Sequence, residues 1–416
     1  MRFWRRTVAL GLLLMALLRC GNAAQLPTSA PTTPATQGSP VPSAPRITLT
    51  LWHGQNNAVN EILQRLLLDY QRNPAHSNIE IQIEDHGASL LEDYQKAVLA
   101  GGPPDIVLLN ENRWIGGLAD QKLILDLTSR LTESDQASLQ PAALEGARYQ
   151  GALYGLPLTL DLPVLYYNRA SIVSETPLED STSWLELARG LSTDQQQGLA
   201  YNLSLYFTQP YLPAWDGRIY NNAGEVVLGT ESYTPTLNWL TWVRDLSMDS
   251  TLLARDDNRL INRAIQQNTA LMTIDWARNL PAYRQVWGEN VGVQPLPRLS
   301  QTGRAAQPLV RSSVLVINPR AAEAHQLAAL NVMRFLVSAE VQRQLRSQDL
   351  PSVRTDLPDD PQHSPIERAA AAGVAWPTDK RFNDSWAALA AMLHNVLNGA
   401  SIDTVIGDTD RRLRTQ

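Results

Sequence analysis

Beyond residue 46, short apolar runs alternate with segments whose apolar residues recur at helical spacing. Residues 47–52 form a strand-like run, and residues 59–70 place apolar side chains on one face of a helix. Residues 79–83 alternate between apolar and polar, 90–99 have a helical pattern, and 105–109 are almost continuously apolar. This βαβαβ order predicts a parallel or mixed α/β sheet with ligands bound at the carboxyl ends of its strands.

The second half of the chain shows the same alternation of strand and helix patterns. Its pattern predicts strands at 164–167, 270–274 and 314–317, and helices at 184–191, 236–248 and 321–337, with a last helix near 386–397 that stops at Asn398-Gly399. The chain of 416 residues is long enough for two such α/β domains.

Composition narrows the function classes. A net charge of -6 provides no basic field for nucleic acid, so we expect no nucleic-acid partner. One cysteine and six dispersed histidines predict neither a disulfide framework nor a metal or other cofactor. Eleven Trp and twelve Tyr against four Phe favour a binder of polar ligands, although core packing explains most such rings.

The N-terminal 24 residues have the pattern of an export signal. Arg2, Arg5 and Arg6 precede an apolar run at 8–18 that is too short to span a bilayer. LLRCG at 17–21 resembles a bacterial lipobox, which would make Cys20 a lipidated mature N-terminus, although Arg19 replaces the usual small residue. Cleavage after Ala24 is the alternative and would release a soluble protein.

Residues 25–46 are rich in Pro, Ser and Thr and predict an extended tether. Such a tether directly after a lipidated cysteine would connect the folded domains to the membrane. This favours a lipid-anchored protein at the cell surface or in the periplasm.

Several short motifs occur in an order that resembles the extracellular solute-binding proteins of the maltose-binding type. They are TLWHG at 50–54, GGPPDIV at 101–107, YGLP at 154–157 with LYYN at 165–168, NTALM at 268–272 with Trp276, VGVQPLP at 291–297, and IN at 317–318 with SAEVQ at 338–342. Each motif alone is weak, but together they run nearly the length of the mature chain.

The resemblance implies a periplasmic-binding-protein fold of two α/β lobes joined by crossing segments, with the ligand in the cleft between them. Lobe one is expected to comprise residues 47–158 and 311–352, and lobe two 159–310 and 353–416. The resemblance implies a monomer whose function is to deliver a small polar ligand, most simply a sugar, to the permease subunits of an ABC importer.

The resemblance also assigns ligand-binding positions, where aromatic faces stack on a sugar ring and polar groups bond its hydroxyls. The expected ligand contacts are Trp52, His53, Gln55, Asn56, Glu111, Asn112, Arg113, Asp161, Tyr206, Asp275, Trp276 and Trp386. Asp161 also stands out from the sequence itself, because a carboxylate in an apolar run needs a partner or a polar cleft. Trp52, Arg113 and Trp386 are equally compatible with structural roles, and His53 fits a polar cleft wall better than a metal site.

Other functions stay open at this point. A cleft glycosidase could use Glu111 and Asp161 as its carboxylate pair. A polyamine receptor could bind its cationic ligand through Glu111, Asp161 and Asp275 with Trp276. A phosphate ligand would need several cations near the cleft, and only Arg113 and Arg311 are candidates. A sensor or adhesin that shares the receptor fold is a further alternative.

Overall fold

The computed structural model describes residues 45–174, 178–221 and 223–415, so the expected export signal, Cys20 and nearly all of the tether lie outside the described residues. The strands are β1 (Ile47–His53), β2 (Ile79–Asp85), β3 (Ile106–Leu109), β4 (Arg148–Tyr149), β5 (Ala152–Leu153), β6 (Gly155–Asp161), β7 (Pro163–Asn168), β8 (Ala200–Asn202), β9 (Leu253–Arg255), β10 (Met272–Trp276), β11 (Val291–Gln294), β12 (Leu309–Ile317) and β13 (Val374–Ala375).

Helices cover and connect these strands. They are α1 (Asn57–Arg72), α2 (Leu90–Ala100), α3 (Ile115–Asp120), α4 (Glu133–Gln136), α5 (Pro141–Glu145), α6 (Ser181–Leu191), α7 (Leu205–Thr208), α8 (Tyr233–Met248), α9 (Asn258–Gln266), α10 (Leu280–Trp287), α11 (Glu323–Leu336), α12 (Ala339–Arg346), α13 (Ser364–Ala372), α14 (Lys380–Leu397) and α15 (Ile402–Arg414). Within the described residues, none is both long and apolar enough to cross a membrane.

The first sheet has the order β13-β12-β3-β1-β2, with β6 also paired to β12. It contains the strands expected in lobe one and also β13, which comes from the segment expected in lobe two. Strand β1 runs parallel to β2 and β3, while β12 is antiparallel to β3, so the sheet is mixed as predicted. All four residues of β3 are buried, which explains its continuous apolar pattern.

The second sheet forms lobe two and has the order β11-β7-β10-β8-β9. It mixes antiparallel pairing of β10 with β7 and parallel pairing of β10 with β8. A separate hydrophobic cluster that includes the fully buried Trp184 and Trp239 packs around it. The expectation of two α/β lobes is therefore confirmed.

The lobes are joined where three segments lie side by side. Strands β6 and β12 pair antiparallel with Asp161 opposite Arg311, and the ladder is irregular between Ser313 and Val314. Leu160 N donates to Pro351 O at 3.3 Å, which adds the third segment. The crossings expected near residues 158, 311 and 352 fall in this region, while the full lobe boundaries stay a prediction.

The predicted last helix at 386–397 ends at Leu397 as expected, but it begins earlier than expected and another helix follows it. Helix α14 already begins at Lys380, where the side chain of Asp379 accepts a hydrogen bond from Arg381 N. Beyond the turn at Gly399 (φ 91°), α15 begins and buries Ile402, Val405 and Ile406. Its many charged residues obscured the short apolar stripe that packs it into lobe two.

Candidate functional site

A cavity of about 360 Å³ with a mixed polar and apolar wall lies at the crossing of the three segments. Both lobes and the crossing strands contribute to its wall. Its polar lining side chains are Gln55, Asn56, Asn110, Thr159, Asp161, Arg278, Asn279, Arg311, Ser312 and Ser313. Of the expected ligand residues, Gln55, Asn56 and Asp161 therefore line this cavity directly.

The loop after β1 meets the loop after β3 at the lobe-one wall of the cavity. Gln55 Nε2 donates to Asn110 Oδ1 at 2.8 Å, and Asn110 Nδ2 donates to Gly54 O at 3.1 Å. A Cβ at Gly54 would lie 2.3 Å from Gly87 O, so only glycine permits this close approach. Asn56 also caps α1, because its Oδ1 accepts from Val59 N at 3.0 Å.

Trp52 and His53 lie behind that loop and not in the cleft wall. Trp52 is 7% exposed and packs on His86 with ring centroids 3.9 Å apart. His53 has no exposed surface, its Nε2 lies 3.1 Å from Asn60 Oδ1, and burial lowers its pKa. The expectation that His53 forms a cleft wall is wrong, because neighbouring groups enclose the ring.

Asp161 joins the crossing strand β6 to lobe two. Its Oδ1 accepts from Arg278 N at 3.1 Å, and its Oδ2 pairs with the Arg278 guanidinium. The side chain is 13% exposed. Burial raises the pKa of Asp161 to about 6, and the charge of Arg278 opposes that rise.

Arg311 carries the other charge of the crossing strands. Its guanidinium pairs with Glu111, which also pairs with Arg113. The same guanidinium lies 5.1 Å from the ring centroid of Trp276 and 5.9 Å from that of Tyr206. Burial lowers the pKa of Arg311, although the group stays a cation at any physiological pH.

Four rings form what we term the aromatic cluster: Tyr206, Trp276, Trp376 and Trp386. The ring centroid of Tyr206 lies 5.5 Å from that of Trp276, 5.7 Å from Trp376 and 4.8 Å from Trp386. Trp376 and Trp386 are 4.5 Å apart. Three of the expected stacking residues are thus brought together beside Arg311, which lines the cavity, while none of the four rings lines the cavity itself.

Asn112 and Asp275 make hydrogen bonds to neighbouring residues of the protein. Asn112 is 1% exposed, and its Nδ2 donates to Trp376 O at 2.8 Å. Asp275 Oδ2 accepts at 2.8 Å from both Asn279 Nδ2 and Tyr283 OH. Neither side chain lines the cavity, so their expected role as direct ligand contacts is not supported by this geometry.

Several cavity residues were missed from the sequence. Ser312 and Ser313 follow Arg311 within the otherwise apolar strand β12, and that polar interruption could have identified them, whereas Arg311 was considered only as a contact for a phosphate ligand. Arg278 lies two residues beyond the expected Asp275-Trp276 pair. Trp376 had no comparable pattern, since only the fold brings it to the aromatic cluster.

The chain was compared with families of known proteins. The sequence model of one family, described as bacterial extracellular solute-binding protein, matches residues 70–373. The chain belongs to that family.

Individual relatives of this solute-binding protein are distant in sequence. The maltotriose-binding protein of Pyrococcus abyssi is 24% identical over 182 residues, which is 42% of this chain and 38% of that protein. The galactooligosaccharide-binding protein of Bacillus subtilis is 20% identical over 334 residues, covering 76% of this chain and 77% of that protein.

A solved structure of similar fold is the Staphylococcus aureus extracellular solute-binding protein in complex with maltose. Its TM-score is 0.77 at 16% identity, and the alignment covers 88% of this chain and 97% of that one. Such a likeness establishes the fold of this solute-binding protein.

The charges around the cavity of this solute-binding protein are paired with one another. Asp161 pairs with Arg278, and Glu111 pairs with both Arg311 and Arg113. The remaining polar groups are amides and hydroxyls that can both donate and accept hydrogen bonds. Among the described residues, no group of three or more His, Cys, Asp or Glu side chains is arranged to hold a metal ion.

Proposed function

We propose that this solute-binding protein captures a neutral mono- or oligosaccharide by closure of its two lobes and delivers it to the permease of an ABC importer. The observation that carries the proposal is the inter-lobe cavity of amides, hydroxyls and paired charges beside the aromatic cluster. Sugars offer hydroxyls for the first set of groups and an apolar ring face for the second.

Charge pairing favours a neutral ligand over a charged one. A polyamine would need carboxylates that are free to meet its ammonium groups, but Asp161 and Glu111 are each paired with arginine. To bind an anion, Arg278 or Arg311 would have to break its ion pair with the carboxylate. The carboxylate would then be a partly buried charge without a partner. A saccharide hydroxyl can bond to either ion pair without separating it.

The named ligands of the relatives point to the same class. One relative is a maltotriose-binding protein and another is a galactooligosaccharide-binding protein. The similar solved structure is described in complex with maltose. These ligands support an oligosaccharide as the ligand of this chain.

Binding without turnover is the proposed activity. The family and the similar structures are binding proteins, and an importer component needs only a difference in affinity between its open and closed states. The two carboxylates near the cavity serve as partners of arginines in this account, not as an acid and a nucleophile. Chromatography of each bound saccharide after prolonged incubation should return it intact.

We further propose that the protein is exported and held at the membrane through Cys20. The family is extracellular, and the lipobox-like sequence precedes a Pro/Ser/Thr-rich segment suited to a tether. Mass spectrometry of the mature N-terminus should find a diacylated Cys20. A mature chain that starts at Gln25 would instead mean cleavage after Ala24 and no lipid.

A thermal-shift panel tests the proposed ligand class. Monosaccharides, maltodextrins and galactooligosaccharides are compared with polyamines and sugar phosphates at equal concentration. We expect at least one neutral saccharide to raise the melting temperature, because ligand that binds only the folded state stabilises it. A rise with a polyamine or a phosphate alone, and with no saccharide, would reject the neutral-sugar proposal.

A further inference from the structure

The loop after β1, residues 54–56, is held by a side chain that lies behind it. The backbone N–H of Gln55 donates a hydrogen bond to Nδ1 of His53 at 3.1 Å. Gln55 itself lines the cavity, and its side chain bonds to Asn110 on the neighbouring loop. His53 is therefore buried away from the cavity, but it fixes the position of a residue that lines it. We term residues 54–56 the Gln55 loop.

The contacts of the His53 ring define which of its nitrogens carries a proton. A ring nitrogen that accepts a hydrogen bond carries no proton, so Nδ1 is unprotonated while it accepts from Gln55. The single proton of the neutral ring then lies on Nε2, which is 3.1 Å from Oδ1 of Asn60. Both contacts require the same neutral tautomer, and a second proton on Nδ1 would break the bond to Gln55.

A charged His53 would have a different partner on β2. Asp85 lies beside His53 on this parallel strand, with its Oδ1 3.8 Å from Nδ1 of the ring. A proton on Nδ1 would be attracted to that carboxylate and would repel the N–H of Gln55. The other titratable neighbour is His86, which pairs with Asp93 at 3.0 Å and whose charge opposes a charge on His53.

We propose that neutral His53 is the positioning residue for the Gln55 loop, and that protonation of its ring releases Gln55 and weakens ligand binding in acid. The geometry carries this inference, because Nδ1 cannot both hold a proton and accept from Gln55. Burial lowers the pKa of His53 below its ordinary value of 6.5, so the ring is neutral above that pH. The effect on binding rests on the proposed function, whereas the effect on the loop concerns the ligand-free chain.

The first test needs no ligand. In nitrogen-15 NMR spectra of the purified chain, protonated and unprotonated ring nitrogens differ in chemical shift, and the His53 signals are those that His53→Asn lacks. We expect a proton on Nε2 alone at about pH 7.5, and a second proton on Nδ1 as the pH falls toward about 5. Over the same range, peptides that contain Gln55 should lose protection from hydrogen exchange, measured relative to an unstructured peptide at each pH.

Two variants separate the roles of the two ring nitrogens. In His53→Asn, the side-chain oxygen replaces Nδ1 as an acceptor for Gln55 and takes up no proton in this pH range. In His53→Gln, the amide replaces Nε2 as a donor to Asn60 and leaves the N–H of Gln55 without its acceptor. His394→Asn is the matched control, because that ring is largely exposed and lies beside Asp256, 3.3 Å away.

Calorimetric titration with maltotriose, and with each neutral saccharide that raises the melting temperature, measures the effect on binding. From about pH 7.5 to about pH 5, the affinity of the wild-type chain should fall about three- to tenfold more than that of His53→Asn, as loss of one hydrogen bond predicts. His53→Gln should bind more weakly than His53→Asn by about the same factor at the higher pH, and His394→Asn should follow the wild type. Asp161 titrates in all four chains and cancels in the comparison.

A His53 ring whose proton lies on Nδ1 at the higher pH, or protection of Gln55 that does not follow the titration of His53, would overturn the positioning role. Parallel affinity profiles of the wild-type chain and His53→Asn would overturn the effect on binding. Failure of the proposed function is distinguishable, because no saccharide would then bind at any pH, while the ligand-free spectra would still show whether His53 holds the Gln55 loop.

Discussion

At the scale of single residues, the site depends on charges that satisfy one another. Asp161 and Arg311 are opposite each other on β6 and β12, yet each pairs with a charge from another part of the chain. Asp161 could be predicted from the sequence, because a lone carboxylate in an apolar run needs a partner. Its partner Arg278 could not, since sequence spacing does not reveal which cation the fold brings near.

Arg311 is expected to be required for ligand binding. Arg311→Ala and Arg311→Lys should each raise the Kd for the saccharide by about tenfold, because lysine cannot reproduce a planar guanidinium that pairs with Glu111 and covers the rings. Titration calorimetry measures the change. The matched control is Arg381→Ala, which removes an arginine from the Tyr220 ring outside the cavity. Wild-type affinity in both Arg311 variants would contradict this role.

Asp161 is expected to make stability depend on pH. Its folded pKa of about 6 exceeds the ordinary value of 3.8, so the folded chain holds this proton more tightly than the unfolded chain. The resulting stabilisation is complete below the ordinary value and is lost as pH rises through about 6. Relative to Asp161→Asn, which cannot ionise, the wild-type chain should lose about 1–3 kcal/mol of unfolding free energy between about pH 4 and pH 7.

Chemical denaturation of both chains across that pH range measures the difference. Other groups titrate in both chains and cancel in the comparison. Parallel pH profiles of the wild-type and Asp161→Asn chains would show that the carboxyl of Asp161 titrates equally in the folded and unfolded states.

At the scale of elements, the strands and helices with strong periodicity were predictable and the charged or very short ones were not. The patterns at 47–52 and 59–70 correspond to β1 and α1 with shifts of only a few residues at the ends. Helix α15 was missed because arginines and aspartates dominate its sequence, although its buried face packs on α8 and α14. Tertiary packing, more than local propensity, stabilises such a helix.

The contribution of α15 can be measured with two substitutions on the same helix. Ile406 has no exposed surface, so Ile406→Ala should destabilise the chain by about 2–5 kcal/mol through lost burial and a cavity. Thr404→Ala, on the exposed face, should change stability by less than about 0.5 kcal/mol. Equal and small effects in urea denaturation would mean that α15 is not packed as described.

At the scale of the whole molecule, the order of the motifs was sufficient to predict two lobes and a cleft. The composition of the cleft was only partly predictable, because residues from distant segments meet there. Tyr206, Trp276 and Trp386 were expected, whereas Trp376 comes from a segment with no recognisable motif and Arg311 was considered only for a phosphate ligand. The resemblance indicated candidate positions, and the fold determines which of them line the cavity.

Closure of the two lobes should be visible in solution. If the saccharide bridges both walls of the cavity, its addition should favour a more compact state and lower the radius of gyration from small-angle X-ray scattering. A non-binding sugar from the thermal-shift panel is the control. An unchanged radius at saturating saccharide would contradict binding by lobe closure.

Calorimetric titration of the purified chain is the decisive experiment for binding of a neutral saccharide in the cavity. We expect one saccharide bound per chain, with a negative heat-capacity change as the ring face is buried, and a large loss of affinity in Tyr206→Ala. Saturable binding of a polyamine or an anion, with no heat from any saccharide, would contradict it.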